Sequence, residues 1–94
     1  MAAAVLTVEL RIPLSTSLKD KRSVVKAVLE GSRGRFGVAA AEVEHLDLRQ
    51  RAVLAFAAVA ASPRQVEAVL DSVERFVWSR SEVEVIESTR GWFD

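Results

Sequence analysis

The chain has no cysteine, which excludes disulfide frameworks, thiolate zinc sites, iron–sulfur clusters and cysteine nucleophiles. It has no tyrosine, and its aromatics are two tryptophans and four phenylalanines. An excess of one charge is also missing, since 13 Lys and Arg stand against 13 Asp and Glu. Whole-protein attraction to a polyanion is thereby removed, and any nucleic-acid contact has to be local. Long apolar runs are absent too. The longest uncharged apolar stretch, 52–61, is about half of what a membrane-spanning helix requires. Residues 1–10 carry no basic residue ahead of the apolar stretch, which Glu9 interrupts, so no secretory leader is expected. A cytoplasmic protein with no membrane contact is the expectation. At 94 residues, 50% hydrophobic and 28% charged, the chain is long enough for one globular domain with one core and too short for two lobes around a cleft.

What is present is strongly patterned. Over 5–12 the residues alternate, with Leu6, Val8, Leu10 and Ile12 on one face and Val5, Thr7, Glu9 and Arg11 on the other, as in a strand with one buried side. Pro13 ends it, and Ser15, Thr16 and Ser17 offer hydroxyl caps, Ser17 and Asp20 having capping-box spacing. A helix is expected from about Leu18, its apolar arc formed by Leu18, Val25, Leu29 and Phe36 and widened by Val24 and Val28. Gly31, Gly34 and Gly37 cluster where this helix should stop, the last suited to a left-handed residue. Two β-type runs follow over 38–48 and 51–61, joined by a polar stretch without Asn-Gly or Asp-Gly. Ser62-Pro63 reads as a cap and first helical position. The second helix carries a core stripe of Val66, Val69, Leu70, Val73 and Val77, and a short strand over 82–88 precedes a tail with Trp92 and Phe93.

The order strand–helix–strand–strand–helix–strand, with two right-handed crossovers around a hairpin, gives a single ferredoxin-like α+β domain. This is a βαββαβ two-layer sandwich, a four-stranded antiparallel sheet with two helices on one face. One sheet face then stays uncovered. The third strand is apolar on both sides, with Leu54, Phe56 and Ala58 facing one way and Val53, Ala55, Ala57 and Val59 the other. Burial of that second face in a homodimer is expected.

Three stretches resemble a known family. They are Ser17-Leu18-Lys19-Asp20-Lys21-Arg22-Ser23-Val24-Val25, then Glu42-Val43-Glu44-His45-Leu46-Asp47-Leu48 running on to Gln50-Arg51-Ala52, and finally Trp92-Phe93. In order and spacing the chain is similar to the YlxP-like family of small bacterial proteins of unknown function. The resemblance implies a ferredoxin-like fold and, from the family's usual genomic setting, a link to RNA or the ribosome. It implies no reaction. Arg49 stands where the family is expected to carry tryptophan.

The most informative anomaly is electrostatic. Lys19, Lys21 and Arg22 crowd the first turn of the first helix, where the dipole already places partial positive charge and each cation costs roughly 0.3–1 kcal/mol. Lys21 moreover falls inside the apolar arc. Free amides, the hydroxyls of Ser15, Thr16 and Ser17, and these cations suit an anion. Lys19, Arg22, Lys26 and Arg33 continue as a stripe interrupted by Glu30. Between Leu18 and Arg35 six cations face two acids. Two readings fit, a solvated helix face and a phosphate-binding stripe. The charge is uneven along the chain as well: residues 1–51 hold nine cations and six acids, and 52–94 hold four and seven.

Other features invite weaker readings. His45 shares a strand face with Asp47 and has Glu42 and Glu44 nearby, which suggests a hydrogen-bonded pair near the hairpin turn more than a metal site or a general base. Gly31-Ser32-Arg33-Gly34 and Gly34-Arg35-Phe36-Gly37 match the GXXG backbone clamp of KH domains, but a helix leading into a strand is the wrong context. Phe56 is the one aromatic of the proposed central strands and should face the core, so base stacking as in an RRM is not expected. The loop from Pro13 to Ser17 lacks the glycines and arginine of an acylphosphatase-like cradle. Trp78 lies about 120° off the second helix's stripe, which suits either a cap on the last strand or a contact surface. The resulting expectation is a binding module without catalysis, cofactor, metal or DNA sequence readout. It would contact RNA phosphate through the first helix, the alternative being a small sensor or enzyme that binds an anion or phosphoester at the loop and helix start from Ser15 to Arg22.

Overall fold

The structure, a computed structural model, describes residues 1–93. Its elements are β1 (Ala2–Arg11), α1 (Leu18–Phe36), β2 (Ala39–Glu44), β3 (Arg51–Ala60), α2 (Pro63–Trp78) and β4 (Glu84–Phe93). The strands form one antiparallel sheet in the order β2-β3-β1-β4, the ferredoxin-like α+β arrangement. Alternation explains the layers. Ala2, Ala4, Leu6, Val8 and Leu10 of β1 and Ala52, Leu54, Phe56 and Ala58 of β3 point to one side and are buried. There they meet Val25, Val28 and Leu29 of α1 and Val66, Leu70, Val73, Phe76 and Val77 of α2. Both helices therefore cover the same sheet face, and the other stays open.

The helix ends are fixed by their own side chains. Ser17 Oγ accepts from the Asp20 amide at 3.0 Å. At α2 the box is reciprocal, Gln65 N donating to Ser62 Oγ at 3.3 Å and Ser62 N to Gln65 Oε1 at 3.0 Å, with Pro63 following. Gly37 caps α1 at φ 66°, its N–H donating to the Arg33 carbonyl at 3.1 Å. Helix α1 runs straight through Gly31 and Gly34, so neither GXXG match forms a loop. Gly31 permits close helix contact instead, because a Cβ there would lie 2.7 Å from Phe76 Cζ.

Two boundaries differ from the sequence expectation. Strand β2 ends at Glu44, short of the run to 48, because His45 takes a left-handed conformation at φ 62° and the Leu48 amide closes a turn onto its carbonyl at 3.0 Å. Strand β4 is longer and displaced, taking in Trp92 and Phe93, because β1 offers it partners from Ala3 to Arg11. Trp78 is exposed and flanks a shallow surface cleft lined also by Asp71, Glu74, Arg75 and Ser79.

The Gly37 cap sets a measurable cost. Gly37→Ala places a Cβ in the left-handed region and should destabilise folding by about 1–2 kcal/mol. Urea denaturation should show a lower midpoint with an unchanged slope.

Candidate functional site

Lys21 decides how the basic corner works. Its position on α1 points at the sheet, and the side chain is 0% exposed. Nζ donates to Glu42 Oε2 at 2.7 Å and to the carbonyls of His45 at 2.8 Å, Leu46 at 3.2 Å and Arg51 at 3.3 Å. A buried ammonium is tolerable only when paired and hydrogen-bonded, and here one carboxylate and three carbonyls meet it. Lys21 is thus removed from the anion-binding set to which its place in the first turn assigned it. Glu42 is the partner that sequence reasoning missed, although a signal existed. Glu42 shares the inward parity of Ala40 on β2, so an acid and a cation were both directed at the core.

The hydroxyls at the start of α1 are also in use. Ser15 is 4% exposed and its Oγ donates to the Ser17 carbonyl at 3.0 Å. Thr16 Oγ1 and N donate to Asp20 Oδ2 at 2.7 and 3.1 Å, and Ser17 Oγ holds the Asp20 amide. The Thr16 hydroxyl, followed by its amide, keeps the Asp20 carboxyl below its ordinary pKa. A carboxylate therefore lies at the helix start, where an incoming phosphate would need positive potential. Ser17 is the cap, and the Ser15 and Thr16 hydroxyls donate within the same loop, to the Ser17 carbonyl and the Asp20 carboxylate.

What remains of the stripe is exposed. Lys19, Arg22 and Lys26 face solvent on one side of α1, and among the described residues none of the three forms a side-chain hydrogen bond or an ion pair. Arg33, farther along the same face, donates to the Ala40 carbonyl and ties the end of α1 to β2. Four other cations sit against acids: Arg11 with Glu84, Arg51 with Glu9, Arg80 with Glu82, and Arg90 with both Asp71 and Glu74.

His45 does not pair with Asp47. Its Nε2 lies 3.5 Å from Glu9 Oε2 on β1, and Arg51 of β3 bonds the same carboxylate. The left-handed turn at His45 swings the ring onto the open sheet face, away from the residue that strand alternation would have placed beside it. The Arg51 hydrogen bond, aided by its charge and that of His45, lowers the Glu9 pKa. Among the described residues there is no group of three or more metal-ligating side chains, and no helix is long and apolar enough to cross a membrane.

Two predictions follow from these contacts. Lys21→Met strands the Glu42 carboxylate and should cost about 3–5 kcal/mol, most of a small domain's stability. Adding Glu42→Leu should restore part of it, as read by chemical denaturation. The second concerns acid. Because folding lowers the Glu9 and Asp20 pKa values, their stabilisation is complete above the unfolded carboxylate range and disappears as pH falls through the folded values. A Glu9→Gln, Asp20→Asn variant should therefore lose less stability than wild type between neutrality and about pH 3, measured by thermal melts across that interval.

The model of a family described as "Protein of unknown function (DUF503)" matches residues 3–90. An uncharacterized protein YlxP from Bacillus subtilis (strain 168) is 36% identical over 77 residues, covering 82% of this chain and 84% of that protein. Match length and identity together with the βαββαβ order make this chain a member of the DUF503 family of proteins of unknown function, to which it is joined by its likeness to YlxP.

Proposed function

We propose that this chain is a cytoplasmic, non-enzymatic binding protein that contacts RNA phosphate through the exposed face of α1, in the setting of ribosome assembly or translation that the YlxP-like resemblance implies. The observation that carries this reading is the trio Lys19, Arg22 and Lys26. They stand on one helix face, and among the described residues none forms an ion pair, in a net-neutral protein in which half of the other cations do. Spacings of three and four residues hold the three on one side of the helix over about 10 Å, a reach suited to neighbouring phosphates. Such contacts position a protein on RNA and carry no base readout, so selectivity would come from RNA shape. The phosphoester pocket over Ser15 to Arg22 has less support, because its hydroxyls are held by contacts within the loop and first turn, Asp20 places a carboxylate there and Lys21 faces the core.

The test is binding to single- and double-stranded RNA oligonucleotides at graded salt. With three phosphates neutralised, affinity should fall roughly 20- to 40-fold between 50 and 200 mM salt. Lys19→Glu, Arg22→Glu, Lys26→Glu should abolish binding while leaving circular dichroism unchanged. Wild-type affinity in that variant at low salt would end the proposal.

A further inference from the structure

The sheet face turned away from the helices is graded in a way the sequence did not reveal. Strand register arranges its outward residues in rows across the sheet. At one end Val59, Ala3 and Phe93 lie side by side. Next come Ala39, Ala57, Val5 and Gly91, and after them Ala41, Ala55, Thr7 and Thr89. The following row is charged, with Glu44, Val53, Glu9 and Glu87, and the last holds Arg51, Arg11 and Glu84. Val59 is 72% exposed and Phe93 61%, so the first row stands up as an apolar ridge. Beside it is a shallow recess of about 240 Å³ lined by Val5, Ala39, Ala40, Ala41, Ala55 and Ala57. Ridge and recess belong to the same face.

We infer that two copies of this chain pack open face to open face, the Val59–Phe93 ridge of each seated in the alanine-floored recess of the other. A two-fold interface requires one patch that is complementary to itself, and a ridge beside a hollow meets that requirement. The acids Glu9, Glu44 and Glu87 around a smaller cleft on the same face disfavour a polyanion or an anionic lipid surface there. In the paired arrangement those charged rows form the polar rim around an apolar centre. The three uncharged rows, two of them spanning four strands, cover about 400 Å² per copy, and the whole face about 600 Å². The pair then hides about 800–1,200 Å², which predicts a dimer at the weak end of specific interfaces. The inference does not depend on the RNA reading, since α1 lies on the opposite side of the sheet.

The measurement is sedimentation equilibrium of the full chain up to about 100 μM, a concentration suited to a micromolar interface. Wild type should approach twice the monomer mass, and Val59→Lys should remain monomeric with unchanged circular dichroism, its side chain being solvent-exposed in the single copy. A wild-type chain that is monomeric throughout would overturn the inference. So would a Val59→Lys variant that dimerises as tightly as wild type, because the contact would then lie elsewhere. RNA titration of the same samples keeps the two proposals apart: loss of phosphate binding with an intact dimer condemns only the functional reading.

Discussion

One ammonium group joins four parts of the fold. Lys21 leaves α1, bonds the Glu42 carboxylate of β2, gathers the His45 and Leu46 carbonyls of the following turn, and reaches the Arg51 carbonyl at the start of β3. Without that donor, three carbonyl oxygens and a carboxylate would be held near one another around an apolar core. The desolvation cost of such groups is several kcal/mol when they are unmatched. The turn therefore takes its shape from a side chain 24 residues upstream rather than from a glycine-containing hairpin sequence. It ends β2 early, sets His45 in the left-handed region and directs its ring to Glu9.

This explains which parts of the molecule could be read from the residues. Period-two alternation in β1 and β3 and the three-and-four spacing in α2 report on burial directly, so the inward sets Leu6, Val8, Leu10 and Val66, Leu70, Val73, Val77 and the ferredoxin-like order were legible. Caps were legible for the same reason: Ser17, Ser62-Pro63 and Gly37 act within a few residues of their own position. The candidate site was less so. That Lys21 lay in an apolar arc was visible, but whether it met an anion from outside or an acid from within depended on a long-range contact with β2. Local pattern gave Glu42 the inward parity of β2 but did not say that the two side chains meet. The ends of β2 and β4 were misplaced on the same ground, one being set by the Lys21 contacts and the other by the length of β1.

Charge is distributed by function of place. Arg11, Arg51, Arg80 and Arg90 sit against carboxylates, each exposed pair contributing little to stability but cancelling local potential. Lys19, Arg22 and Lys26 are left on the outer side of α1, where among the described residues none forms an ion pair and only Asp20 and Glu30 lie near to offset them. A neutral protein can in this way present a positive strip on its helical side and an apolar, acid-rimmed surface on its sheet side. The two sides are separated by the full thickness of the core, so either can be occupied without obstructing the other.

The enclosure of Lys21 has a chemical corollary. The chain holds three lysines, and two of them, Lys19 and Lys26, stand in water. An acylating reagent will find those amines at once, while the third becomes reactive only when the α1–β2 junction opens. The rate at which that one amine is acylated is a clock for opening, built into the sequence and readable by mass spectrometry as the mass the acyl group adds.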